Sequence, residues 1–160
     1  MQIFLTIIAG ACTFVLGQIF LKLYIEPIQA YKSVISEIAD KLILYANVYA
    51  NPKTLDEPKQ AEACKEFRIL SSKLQATMYL VPSYKLMSKI FSLPSVENVT
   101  KASKNLIRLH NGHDHALANQ GTLNCYSAQK VRQALNIYIP PDELLDPKLE
   151  KEFIKAKSGS

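Results

Sequence analysis

Hydrophobic and polar residues are distributed very unevenly along this chain. From Gln2 to Leu21 there is no charged side chain, and isoleucine, phenylalanine, leucine and valine dominate. A bilayer core of about 30 Å is crossed by roughly 20 apolar residues at the helical rise. The pattern therefore predicts one transmembrane helix within residues 1–25, from about Ile3 to Tyr24.

A cleaved signal peptide is the rival interpretation of this segment. Such a peptide needs basic residues before its apolar core, and the first basic residue here is Lys22. Ala9-Gly10-Ala11-Cys12 resembles a lipoprotein cleavage site, but uncharged residues continue to Leu21. We therefore favour an uncleaved anchor. Because lysines follow the span and none precedes it, the positive-inside rule places the N-terminus outside and the C-terminal part in the cytoplasm.

After the span, apolar residues recur at alternating intervals of three and four, which is the seam of a heptad helix. Continued backward, the same register includes Gly10 and Gly17, and Thr13 lies four residues before Gly17. Small residues let helices approach closely in lipid. This pattern predicts self-association through an interface formed by Gly10, Thr13, Gly17, Ile28, Tyr31, Ile35, Ile38, Leu42 and Tyr45.

Two questions about this long helix stay open at the level of sequence. The cytosolic seam could instead pack on its own domain, since Val34, Leu44 and Val48 widen the apolar stripe. Pro27 either kinks a continuous helix or opens a new helix after Glu26.

Helical periodicity continues through the rest of the chain, and no stretch alternates with the period of a strand. We predict an all-α fold in which the transmembrane helix continues as a long cytosolic helix, packed into a small bundle of about five helices. The bundle is predicted to occupy residues 26–139. Residues 140–160 form a tail with a short helix after Asp146-Pro147 and a terminal Ser158-Gly159-Ser160 that resembles an added linker.

Helix boundaries and inward faces can be predicted in more detail. Thr54 to Glu57 has the spacing of a capping box, and Ser95 is a candidate N-cap. The last helix of the bundle is predicted from about Thr122 to Asn136. Inward-facing positions are predicted at Cys64, Phe67, Leu70, Leu74, Met78, Val81, Tyr84, Met87, Ile90, Val96, Val99, Ala102, Leu106, Leu109, Leu123, Tyr126, Val131, Leu135 and Tyr138.

Three stretches carry a resemblance: EPIQAYKSVISEIADKLILYANVYANP, EFRILSSKLQATMYLVPSY and SVENVTKASKNLIRLHN. They resemble a family of small bacterial single-pass membrane proteins of unknown function, over about Gln18 to Asn111. The resemblance implies a bacterial inner-membrane location and a helical cytosolic domain, and it supplies no catalytic residue. In that family small polar residues stand where this chain has His110, which argues against a shared histidine site.

Charge adds one candidate binding surface. The formal net charge is +5, and Lys101, Lys104 and Arg108 follow at intervals that place them on one helical face. Such a face can bind an anion, either an acidic lipid or a nucleotide, or it can be an ordinary solvated surface. Arg68 and Lys73 are candidates to join it.

The stretch HNGHDH contains all three histidines, His110, His113 and His115. Three histidines and an aspartate could bind a metal, but Gly112 interrupts the helical spacing that would place His110 and His113 on one face. Histidines near a helix C-terminus also interact favourably with its dipole, and we favour this interpretation. No nucleophile motif or phosphate-binding glycine loop is present, and Cys12, Cys64 and Cys125 form no motif.

Together these patterns predict a membrane-anchored, non-enzymatic interaction or sensory module that binds no cofactor. Its expected partners are further copies of itself, membrane lipid and a possible second protein in the membrane, with no nucleic acid. One alternative is a ligand-gated membrane effector that binds an anionic signal at the basic face. A second is a metal-dependent enzyme at the histidines.

Overall fold

In the computed structural model, which describes residues 1–113 and 119–158, helices form almost all of the ordered structure. Within these ranges there is no strand, so the all-α prediction is confirmed. The described helices are α1 Gln2–Leu44, α2 Ala46–Ala50, α3 Pro58–Leu80, α4 Tyr84–Ile90, α5 Val96–Asn111, α6 Gln120–Ala134 and α7 Pro147–Ser158. A single 3₁₀ turn, Pro141–Glu143, precedes α7.

Helix α1 passes Pro27 without ending. Proline lacks an N–H, and its ring crowds the carbonyl four residues earlier, here that of Leu23. The structure accommodates this with a π-helical turn over Leu21–Ile25, in which the Glu26 N–H donates to the Leu21 carbonyl. The apolar first half of α1 and its second half are therefore one continuous element.

The second half of α1 packs antiparallel against α3. Two ion pairs define the register: Lys41 with Glu66 at 3.5 Å and Lys73 with Glu37 at 2.9 Å. Helix α5 then lies antiparallel on α3, where the buried hydroxyls of Ser71 and Ser103 are 2.7 Å apart. Helix α6 packs against α5, which completes the bundle.

This packing corrects one part of the interface prediction. Ile28, Tyr31, Ile38, Leu42 and Tyr45 are buried in the core of their own domain, and Ile35 packs against the same cluster. Side chains covered within one chain cannot also contact a second copy while the domain stays closed. The heptad seam in the second half of α1 is therefore an intramolecular packing face.

The predicted inward face of α3 is confirmed, since Cys64, Phe67, Leu70, Leu74 and Met78 are all buried. Phe67 lies edge-on to the Tyr45 ring and at a tilt to the Tyr49 ring, which joins α3 to both α1 and α2. The other predicted inward positions that are buried are Val81, Met87, Val99, Ala102, Leu106, Leu109, Tyr126, Val131 and Leu135.

Other local predictions need correction. Ile90, Val96 and Tyr138 are exposed although an inward position was predicted for each, and Leu123 and Tyr84 are half-buried. Helix α3 begins at Pro58 with Glu57 as N-cap and no side-chain cap bond, so the capping box does not form. Ser95 does cap α5, because its Oγ accepts a hydrogen bond from the Asn98 N–H at 3.2 Å.

A buried amide joins three elements at the end of the domain farthest from the first half of α1. The Asn124 Nδ2 donates to the Tyr49 carbonyl at 2.9 Å and to the Gly112 carbonyl at 2.8 Å. Its Oδ1 accepts from the Gln120 Nε2 at 2.9 Å. Asn124 thus connects the end of α2, the end of α5 and the first turns of α6.

The tail is held to α6 mainly by polar contacts. Gln129 makes two hydrogen bonds with the backbone of Leu145, and the Tyr126 hydroxyl donates to the Asp146 carbonyl. Two ion pairs extend this attachment, Arg132 with Glu143 and Lys130 with Glu150. The predicted short helix is confirmed as α7, whereas Gly159 and Ser160 lie outside the described residues.

Tyr31 supplies a prediction about stability. Its side chain is fully buried, and its hydroxyl has no hydrogen-bond partner among the described residues. Burial raises the pKa of Tyr31 far above its ordinary value of 10.0. Since an unmade buried hydrogen bond is costly, Tyr31→Phe should leave the free energy of unfolding unchanged or raise it by about 1 kcal/mol at neutral pH.

Tyr31 also determines the direction in which folding stability changes at alkaline pH. Above pH 10 the unfolded chain releases the Tyr31 proton while the folded chain retains it, so stability falls as pH rises. The decline should be shallower in Tyr31→Phe, as measured by urea unfolding between about pH 9 and pH 11, roughly 1 unit below and above the ordinary tyrosine value. A substantial loss of stability at neutral pH would show that the hydroxyl is bonded after all.

Candidate functional site

The first half of α1 is a bare apolar helix. No residue between Gln2 and Phe20 is buried, even though many of them are large and apolar. Exposed examples are Phe4, Ile7, Phe14 and Leu16. The helix is long and apolar enough to cross a membrane. By contrast, the half of α1 beyond Pro27 has one face in the domain core. The change of environment therefore coincides with the π-helical turn.

Gly10, Thr13 and Gly17 lie on this bare segment. A Cβ placed on either glycine would meet nothing within 4 Å, so both backbone surfaces are open. The Thr13 hydroxyl donates to the Ala9 carbonyl at 2.9 Å, which satisfies it within its own helix. We call Gly10, Thr13 and Gly17 the glycine stripe. Its side chains are small and its one hydroxyl is already hydrogen-bonded, as close contact between helices in lipid requires.

The predicted basic face forms one wall of a cleft between α5 and α6. Lys101, Lys104 and Arg108 are exposed and line it, and Lys130 enters from α6. The cleft has a volume of about 450 Å³, and Glu97 is the acidic residue in its lining. Lys130 was not predicted, because its neighbours are more than twenty positions away in sequence. Lys73 pairs with Glu37 instead, and Arg68 does not line the cleft.

Asn105 lies at the floor of the basic cleft. It is buried, and its Nδ2 donates to the Lys101 carbonyl at 2.8 Å. Its Oδ1 has no hydrogen-bond donor among the described residues. A buried amide oxygen without a partner favours a ligand that brings a hydroxyl or N–H donor. The cleft therefore combines the positive charges of Lys101, Lys104 and Arg108 with a buried, unpartnered amide oxygen in one of its lining residues.

The histidines are not brought together as a metal site in the described part of the chain. Within residues 1–113 and 119–158, no group of three or more His, Cys, Asp or Glu side chains is placed to hold a metal ion. The His110 Nδ1 lies 2.9 Å from the Cys64 carbonyl oxygen, which joins the end of α5 to α3. His113 follows the helix end, and His115 lies outside the described residues.

An apolar cavity of about 750 Å³ lies between the end of α1, α6 and the tail. Ile43, Ala128 and Leu144 are among its lining residues, and Arg132 and Glu143 form an ion pair at its wall. Sequence patterns gave no indication of it, because the tail that closes the cavity carries no strong helical or strand periodicity.

Comparison with known proteins assigns neither a family nor a function to the chain. No protein-family model, no curated protein and no solved structure matches the chain.

Proposed function

We propose that this chain is a bitopic protein of the bacterial inner membrane that self-associates through its span and acts by binding rather than by catalysis. Its N-terminus lies outside and its helical domain in the cytoplasm. One observation carries the proposal: α1 is a single helix whose first half is apolar and uncovered while its second half is a core helix of the domain.

The junction between the two halves supports an uncleaved anchor. Tyr24 packs against the domain core, and the π-helical turn that ends at Ile25 adapts α1 to Pro27. The last turn of the span is therefore part of the folded domain. The positive charges support the orientation, since Lys22 lies in the last turn of the span and Lys32 and Lys41 follow it.

Self-association is assigned to the span alone, because the cytosolic seam is buried. Gly17→Leu should weaken association by at least about tenfold, since a leucine side chain would keep two helix backbones apart. Sedimentation equilibrium of the full-length protein in mild detergent measures this directly.

Cys12→Leu is the matched control for that experiment. It also replaces a small span residue with leucine, and at about 100° per residue it lies on the side of the helix opposite Gly10. The control should associate like the wild type. Equal association of the wild type, Gly17→Leu and Cys12→Leu would show that the glycine stripe is not the interface.

A second candidate function is supported by the basic cleft: a membrane effector that responds to a phosphorylated small molecule. The charges of Lys101, Lys104 and Arg108 would bind the phosphate oxygens, whereas Lys130 on the opposite wall is already paired with Glu150. The Asn105 oxygen would accept a hydrogen bond from a ligand hydroxyl. This combination favours a sugar phosphate or nucleotide over a bare anion.

The cleft can be tested with ATP as the probe, by isothermal titration calorimetry on the full-length protein. Replacing both Lys104 and Arg108 with glutamate should weaken binding at least about tenfold, since hydrogen bonds to charged groups are the stronger ones. Replacing Lys59 and Lys65 with glutamate changes net charge equally but on exposed positions outside the cleft. An equal loss in both variants would indicate only a general charge effect.

A further inference from the structure

Four large apolar side chains are exposed around the corner that joins α3 to α4. Tyr79 is 80% exposed, Leu80 60%, Leu86 56% and Ile90 60%. Two lysines, Lys85 and Lys89, are exposed between them on the same corner. We call these six residues the basal patch. Isolated exposed apolar residues are common on protein surfaces, whereas several at one corner of the fold make that corner a candidate interaction surface.

The basal patch lies at the end of the domain where the span begins. The ion pair between Glu37 and Lys73 fixes the antiparallel register of α1 and α3. Continued by one heptad, this register places Leu80 beside Ala30, about 8 Å along the helix from the end of the π-helical turn. The Tyr84 ring independently contacts the Tyr31 ring, with centroids 5.7 Å apart.

Helix α4 is amphipathic in a way that matches a membrane surface. Met87 is buried in the core and Tyr84 packs against it, whereas Lys85, Leu86, Lys89 and Ile90 lie on the opposite face. Leucine and isoleucine enter the headgroup region of a bilayer, while lysine side chains extend toward the phosphates. A soluble surface helix would more commonly expose polar residues here.

The backbone holds this face in a fixed orientation. Ser83 and Ser92, on either side of α4, both adopt left-handed conformations with φ of 48° and 53°. Such conformations are unfavourable for serine and persist only where packing determines them. The Tyr84 hydroxyl also donates to the Pro94 carbonyl at 2.8 Å, which ties the start of α4 to the segment beyond it.

From these observations we propose that the basal patch inserts into the headgroup region of the leaflet from which α1 emerges, and that it prefers anionic lipid. The domain then rests on the membrane at two points, the span and α4. This inference rests on the proposed function, because it requires α1 to be embedded. We expect the patch to contact the bilayer itself, because the register of α1 and α3 places Leu80 near the end of the span. The patch also carries the charge that acidic headgroups attract.

The chain contains no tryptophan, so single tryptophans can report the depth of chosen positions. Leu86→Trp places the probe in the basal patch, Leu16→Trp in the span, and Leu55→Trp at an exposed position in the loop between α2 and α3. Each full-length variant would be reconstituted into vesicles of phosphatidylcholine and phosphatidylglycerol that carry bromine on the acyl chains. Quenching of tryptophan emission is the readout.

We expect strong quenching for Leu16→Trp, clear quenching by shallow bromines for Leu86→Trp, and none for Leu55→Trp. If Leu16→Trp is quenched but Leu86→Trp behaves like Leu55→Trp, the basal patch is away from the bilayer while the anchor remains valid. If neither Leu16→Trp nor Leu86→Trp is quenched, the proposed anchor fails as well. Blue-shifted but unquenched emission from Leu86→Trp would assign the patch to a second copy or another protein and overturn the proposal.

The lipid preference has its own test in the Leu86→Trp background. Each lysine near an anionic surface contributes roughly fivefold to the bound population. Replacing Lys85 and Lys89 with glutamate should therefore reduce quenching in vesicles with phosphatidylglycerol, and much less in vesicles of phosphatidylcholine alone. The same exchange at Lys59 and Lys65 should leave the signal unchanged, and an equal loss there would contradict a specific role for α4.

Discussion

Replacing Asn124 with alanine should lower the free energy of unfolding by about 3–4 kcal/mol, because it leaves two buried carbonyls without a donor. Both lost bonds are short and connect distant segments: Asn124 Nδ2 to Tyr49 O at 2.9 Å and to Gly112 O at 2.8 Å. Urea unfolding of the full-length protein in detergent, followed by circular dichroism, gives the value. A loss below about 1 kcal/mol would mean that these carbonyls find other partners.

Two further variants test whether the loss of stability comes from the contacts of Asn124. Gln120→Ala removes only the bond to the Asn124 Oδ1 and should cost about 1 kcal/mol. A Cβ at Gly112 would lie 2.1 Å from the Asn124 Oδ1, so Gly112→Ala should destabilise the wild type. Since that clash disappears when Asn124 is alanine, the two substitutions should be strongly non-additive. Additive effects would contradict the contact between these two residues.

The second large effect is expected at Ile38, which is fully buried in the domain core. Ile38→Asp would place an unpaired carboxylate among apolar side chains, which costs several kcal/mol and is comparable to the whole stability of a small domain. We expect the domain to unfold. Circular dichroism should show loss of helix, and limited proteolysis should cut within residues 26–139.

This substitution separates the two possible roles of the heptad seam. If the seam joined two copies of the chain, Ile38→Asp would give a folded monomer. Leu44→Asp is the matched control, because Leu44 is on the same helix and 60% exposed. An aspartate there should cost at most about 1 kcal/mol, mainly through the unfavourable charge at a helix C-terminus. A folded Ile38→Asp monomer would restore the seam as an interface.

The fold was largely predictable from sequence because helical periodicity marks buried faces directly. The inward residues of α3, and those of α5 from Val99 to Leu109, follow from a period of 3.6. The cap at Ser95 follows from the chemistry of a helix N-cap. Periodicity cannot identify what covers an apolar face. The seam from Ile28 to Tyr45 has the same pattern whether it packs on α3 or on a second chain. Ile90 has the spacing of a core residue, yet its side chain is exposed.

Site features that depend on tertiary contacts were beyond the reach of the sequence. Lys130 joins the basic cleft only because α6 packs against α5, and the apolar cavity exists only because the tail folds back on α6. Asn124 has no sequence signal either, since an asparagine inside a helix normally lowers helix propensity without indicating a partner. Its partners lie 12 and 75 positions away in the chain.

Native mass spectrometry of the full-length protein released from mild detergent tests the central claim most directly. Association through the span predicts a discrete multimer, and the same multimer should dissociate when Gly17 is replaced by leucine. A phosphorylated ligand in the basic cleft would appear as additional bound mass. A monomer at every protein concentration, with the domain still folded, would contradict self-association and leave α1 as an anchor only.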